Sequence, residues 1–277
     1  MGNLFDTILI NPFLNLLVAI YQLLSFVHIP YAVGFSIILL TIVIRLILYP
    51  FMHHSLKQQK KMQELNPKIS RLKEKHKNDA KSLQVAQMAL FKEHGVNPAS
   101  GCVVMLLQFP ILIALYQVLL KIVSITSIDS LNKILYFDAL KLHQMWDTTF
   151  FGLALGKSPS QLTSSAGYGI LLVCVLTGGL QLLQSRMMMQ PASEKAKEPK
   201  TKKEPDFATA MQTQTMYILP LMVGFFAFSL PFGLSLYWNS LTIFGIIQQY
   251  IVSGWGGLAD WFPFLKKEEE KISKYLK

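Results

Sequence analysis

Five runs of about twenty apolar residues, at 31–51, 101–123, 166–186, 211–230 and 232–253, decide what this 277-residue chain can become. A helix of roughly 20 residues crosses a hydrocarbon layer about 30 Å thick, and inside that layer every backbone N–H and C=O must find a partner within the protein. An all-α polytopic membrane protein with five transmembrane helices is therefore expected. Composition agrees: the chain is 52% hydrophobic and only 15% charged, with a mean hydropathy of +0.37, against about 25% charged residues in soluble domains. Only Pro231 separates the fourth and fifth runs. That leaves room for a tight turn and nothing longer, so these two form an antiparallel hairpin.

The net charge of +10 is carried between the runs. Segment 52–100 holds ten Lys or Arg residues, Lys195, Lys197, Lys200, Lys202 and Lys203 follow the third run, and the tail adds Lys266, Lys267, Lys271, Lys274 and Lys277. In 124–165, Lys133, Lys141 and Lys157 are balanced by Asp129, Asp138 and Asp147. Basic loops stay on the cytoplasmic side, which gives an N-out, C-in orientation with all three basic segments inside. The same distribution assigns the charge to topology and to anionic lipids, with no specific nucleic-acid readout. The first Lys or Arg is Arg45, so the N-terminus lacks the basic stretch of a signal peptide and the pattern of a transit peptide.

Residues 1–30 are expected to hold an extracytoplasmic amphipathic helix. Asn11, Asn15, Gln22 and Ser25 recur at helical spacing as a narrow polar stripe. A sixth span at 11–28, with the N-terminus inside, is the alternative. Segment 52–100 is too polar to span and reads as a cytoplasmic helical hairpin, with helices at 57–77 and 81–94 that turn near Asn78 and end at Gly95. It serves either as a self-packed hairpin or as an arm that meets a partner. Residues 124–165 form an extracytoplasmic loop, 187–210 a flexible cytoplasmic loop, and 254–277 a charged cytoplasmic tail.

Arg45 is the one charge in its run, and a cation at a helix centre costs on the order of 2.5–3.5 kcal/mol even on the lenient insertion scale. No Asp or Glu falls in any of the five runs, so Arg45 has no carboxylate partner in the bilayer. Polar residues lie at a matching depth of roughly 8–10 Å from the inner face at 1.5 Å per residue: Gln108, Gln181 and Gln248. Thr41 sits one turn from Arg45 on the same face, and Ser235, Tyr237, Trp238, Asn239 and Ser240 lie further out on the last run. One alternative is that Arg45 snorkels to the headgroups while each amide joins neighbouring helices. Four helices with polar groups at one depth favour a shared, hydrated, cationic cavity that receives something anionic. A transporter would show an intramembrane carboxylate and often internal repeats, and neither is present. With no phosphate-binding loop and no nucleophile–base constellation, an enzyme is not expected. Cys102, Cys174 and the adjacent His53 and His54 have no metal-ligand spacing, so neither metal nor cofactor is expected.

The stretch FKEHGVNPASGCVVMLLQFPILIALYQVL at 91–119 resembles the YidC family of membrane protein insertases, which has mitochondrial Oxa and chloroplast Alb relatives. TIVIRLILYP, KMQELNPKISRLKEKHK, MQTQTMYILPLM and LPFGLSLYWNS extend the resemblance in the same order. It implies a five-helix core around a hydrophilic groove open to cytoplasm and lipid, in a multi-pass protein of the bacterial plasma (inner) membrane. The family's groove arginine corresponds to Arg45, a neighbouring polar position to Thr41, the glutamine of the Q-x-P motif to Gln108, and the aromatic of LYW to Trp238. Gln181 and Asn239 complete the expected groove. The pattern fits the shorter bacterial form, without a large extracytoplasmic domain. The implied function is insertion and chaperoning of nascent membrane proteins without ATP hydrolysis. A Sec-associated assembly chaperone acting through the hairpin is the alternative, and a transporter a more distant one. Nascent membrane proteins are the implied substrates, with the Sec translocon, the signal recognition particle receptor and the ribosome as further partners.

Overall fold

The computed structural model describes residues 4–76, 79–97, 100–125, 127–166, 168–189 and 214–265. Most of the expected loop at 187–210 and the end of the tail lie outside these residues. Among the described residues the chain is helical apart from one two-stranded hairpin, and its contacts divide it into two units. The first comprises 1–47, 108–183 and 205–245, the second 48–107, 184–204 and 246–277.

Proline shapes the helix starts. Helix α1 (Asn11–Phe26) follows a π turn at Asp6–Ile10, and α10 (Leu219–Ser229) follows another at Gln214–Ile218. Each wide turn lies just before a proline, Pro12 or Pro220, whose ring crowds the carbonyl four residues back. Helix α2 (Ala32–Ile47) ends at Leu48, and α3 (Tyr49–Glu64) begins with Pro50 in its first turn. The run at 31–51 is therefore not one straight helix. The same rule splits the expected helix at 57–77: α3 stops at Leu65 and α4 (Asn66–Lys75) restarts with Pro67, before α5 (Ala80–Glu93).

In the first unit α1 packs on α2, burying Leu14, Leu17 and Val18. The N–H of Ile29 bonds the carbonyl of Leu24 at 3.0 Å and His28 takes a φ of +59°, which closes α1 with a left-handed cap. Helix α6 (Ser100–Ser124) carries Pro110 within it. The segment after α6 is more ordered than a plain loop: α7 (Ile128–Asn132), strands β1 (Thr149–Phe150) and β2 (Leu153–Ala154), and α8 (Pro159–Ala166). Phe151 and Gly152 both have positive φ, as a two-residue hairpin turn needs. Phe150 lies over Gly34 of α2, where a Cβ would collide with its ring. Helix α11 (Phe232–Ser253) has its first N–H groups, Phe232 and Gly233, bonded at 2.9 Å to the carbonyls of Lys157 and Leu155. Helices α9 (Leu171–Met187) and α10 cross backbone to backbone: a Cβ on Gly178 would lie 3.3 Å from the Pro220 carbonyl oxygen and 3.5 Å from the Gly224 Cα.

In the second unit, Lys60 Nζ donates to the Val252 carbonyl at 3.2 Å, and the Gln63 amide donates to the Met188 carbonyl. Arg186 pairs with Asp260 at 2.9 Å and lies 5.5 Å from the Trp261 ring.

Among the described residues three helices are long and apolar enough to cross a membrane, at Asp6–Phe26, Leu106–Ser124 and Tyr168–Met187, and a fourth if the bent pair Ala32–Ile47 and Tyr49–Glu64 is one span. Met216–Ser229 is apolar but shorter, and α11 is long but carries Tyr237, Trp238, Asn239, Gln248 and Gln249. Outward faces are greasy: Leu39, Ile113, Leu172, Leu221, Phe225 and Ile243 are exposed, as lipid contact requires. The chain is thus an all-α polytopic membrane protein.

Candidate functional site

Buried residues on α2 recur as Ile37, Leu40, Thr41, Ile44 and Arg45, the spacing of one helix face. Arg45 continues that inward stripe, while Leu39, Leu46 and Ile47 are exposed on the other side. Its side chain is 7% exposed, and Nη2 donates to the Leu241 carbonyl of α11 at 3.5 Å. Nε is buried with no partner among the described residues. The Thr41 hydroxyl donates back to the Ile37 carbonyl at 2.7 Å, which satisfies its proton inside α2 and leaves its oxygen as an acceptor.

Helix α11 meets Arg45 at Leu241, which lies on a stripe with Leu234, Tyr237 and Gly245 at helical spacing. Tyr237 is 2% exposed and stands one helical turn from Leu241, whose carbonyl receives Arg45. The Gln108 amide of α6 donates to the Tyr237 hydroxyl. Arg45, Tyr237 and Gln108 thus converge from three helices.

A second pair points another way. Trp238 Nε1 donates to the Gln181 Oε1 of α9 at 3.2 Å. Trp238 also lines a small apolar recess with Thr177, Val223, Phe226, Leu234 and Ser235. Asn239 Oδ1 and Ser235 Oγ are buried without partners among the described residues. Gln248 does not join these groups through any hydrogen bond described: its amide donates to the Tyr49 carbonyl at 3.4 Å, within the second unit.

Chemically, the first cluster offers donors: an arginine Nε–H, a tyrosine O–H and an amide. Such a set suits a carboxylate better than a cation. Among the described residues no group of three or more His, Cys, Asp or Glu gathers in metal-binding geometry. The sequence marks Tyr237 only as one of several polar residues further out on the last run and leaves it out of the expected groove, although its place on the 234–237–241–245 stripe points inward.

The chain matches the sequence profile described as 60Kd inner membrane protein over residues 4–256. It is similar to the membrane protein insertase YidC of Geobacter sulfurreducens, 30% identical over 79% of this chain and 33% of that protein. The Helicobacter pylori protein of the same name is 32% identical over 79% and 32%. The inner membrane protein ALBINO3 of Arabidopsis thaliana chloroplasts is 30% identical over 84% of this chain and 49% of the relative. The chain spans about a third of the length of these bacterial relatives.

Proposed function

The chain belongs to the 60Kd inner membrane protein family, and from that premise we propose that it is a membrane protein insertase acting through a hydrophilic groove around Arg45, without ATP hydrolysis. The observation that carries this reading is a buried arginine on an inward helix face, with an unpartnered Nε–H and no carboxylate in the runs around it. A short, acidic, extracytoplasmic segment of a nascent chain enters from the cytoplasm and is attracted by Arg45. Gln108, Tyr237 and the acceptor oxygen of Thr41 replace the water it leaves behind. The apolar recess beside Trp238 and Gln181, with Asn239 near it, faces the substrate's hydrophobic helix. Burial of that helix in lipid supplies the driving force, at roughly 25 cal/mol per Å² of apolar surface.

In this reading the protein of the bacterial inner membrane has five spans, N-out and C-in, with 52–100 as the cytoplasmic hairpin that meets anionic lipid, the Sec translocon, the signal recognition particle receptor or the ribosome. Helix α1 lies along the outer surface. Supporting that placement, Asn15 and Gln22, about 10 Å apart along the helix, both bond to the segment 134–141, which this orientation puts outside.

The test is insertion of a single-span substrate into proteoliposomes carrying Arg45 variants. A hydrogen bond to a charged group contributes about 1.5–3 kcal/mol, so Arg45→Ala should slow insertion about ten- to a hundredfold, and Arg45→Lys should retain most of the rate. Equal rates for wild type and Arg45→Ala, with activity lost on deleting 52–97, would move the function to the hairpin.

A further inference from the structure

Tyr237 is nearly fully buried, yet its hydroxyl is engaged from only one side. The Gln108 amide donates to the phenol oxygen, which fills a lone pair and leaves the phenol's own proton to be given elsewhere. No hydrogen bond donated by that hydroxyl is found among the described residues. One turn along α11, the Leu241 carbonyl holds Arg45 Nη2 and leaves Arg45 Nε–H without a partner. Two unspent donors, one charged and one neutral, therefore lie on facing helices, about one turn apart along α11.

We propose that Tyr237 is a specificity-determining residue of the groove, its O–H and the Arg45 Nε–H together receiving one carboxylate of the entering segment. The inference rests on the insertase reading above. Gln108 acts through Tyr237 as a positioning residue: donating to the phenol oxygen, it directs the hydroxyl proton outward and polarises it, since donors in series strengthen one another. A neutral amide at the same place in the substrate gains less, because hydrogen bonds to an ionised acceptor are roughly twice as strong as neutral ones. Arg45 supplies attraction at range; Tyr237 supplies discrimination at contact.

The experiment uses the full chain in proteoliposomes and two single-span substrates, identical except that the translocated segment carries Asp in one and Asn in the other. The wild type should insert the Asp substrate faster. Tyr237→Phe should cut that preference about three- to tenfold, by slowing the Asp substrate more than the Asn substrate. Gln108→Leu keeps the hydroxyl but not its orientation, and should cut the preference by a smaller factor. It also decides the matter if Tyr237→Phe fails to fold. Equal slowing of both substrates, in whichever variant folds, would make the role structural and overturn the inference. Loss of preference in Arg45→Ala but not in Tyr237→Phe would overturn it and leave the insertase reading standing. A wild type without preference for Asp would overturn both.

Discussion

Asn15 divides its side chain between its own helix and the segment at 134–136. Its Nδ2 donates to the carbonyls of Asn11 at 2.8 Å and Ile134 at 3.3 Å, and its Oδ1 accepts from the Tyr136 N–H at 2.7 Å. A polar stripe on an apolar helix reads in sequence as a face for water, and Asn15 is instead 5% exposed. Periodicity shows which way a residue points, not what comes to meet it there. Asn15→Leu keeps the volume but leaves the Tyr136 N–H and Ile134 C=O unpaired, at about 1–3 kcal/mol for each buried group. Amide exchange across 134–142 should rise about tenfold or more by mass spectrometry, with the membrane helices unchanged. The same limit explains Tyr237. Arg45 and Gln108 were legible because a charge and an amide stand out in apolar runs, whereas a tyrosine in such a run looks like packing until its hydroxyl partner is known.

At the scale of elements, long apolar helices were legible because the bilayer fixes both their length and their chemistry. The small elements of 124–165 were not. They depend on single side chains standing in for backbone: Asn132 exchanges two hydrogen bonds with Leu142, at 3.0 and 2.9 Å, and Asp147 holds the Thr149 N–H at 2.9 Å ahead of β1. No hydrophobic period announces such contacts. The breaks at Leu48 and Leu65 were written in Pro50 and Pro67, but only as boundaries. The α9–α10 crossing sets a sharper test. An alanine at Gly178 needs a few tenths of an ångström from the Pro220 carbonyl, and its better helix propensity, worth up to about 1 kcal/mol in water, offsets that. Gly178→Ala should therefore shift the thermal midpoint in detergent by no more than a few degrees. Gly178→Leu overfills the crossing at about 1–3 kcal/mol, and its midpoint should fall clearly below that of the alanine variant.

Across the whole molecule, the second unit closes on an ion pair that no sequence motif announces. Arg186 ends α9, and Asp260 lies 74 positions later, beyond α11. Both side chains are 15% exposed, so the pair is largely withdrawn from water. Removing one partner leaves a poorly solvated charge. Asp260→Asn should lower thermal stability by about 1–3 kcal/mol, and Arg186→Met with Asp260→Leu should recover most of it, because apolar replacements of such pairs are often neutral. A double variant no more stable than the single one would instead assign the pair a net attraction. The glycine crossing has a mechanical consequence for the first unit. Where two backbones touch, no side chain can rotate aside, so α9 and α10 offer almost no compliance across their contact at Gly178 and Gly224. Trp238 is tied to this stiff pair through Gln181, whereas Arg45 and Tyr237 lie on α2 and α11, which meet through side chains. On the proposed insertase reading, a guest large enough to widen the groove therefore meets a rigid wall on the tryptophan side and has to gain its room on the arginine side.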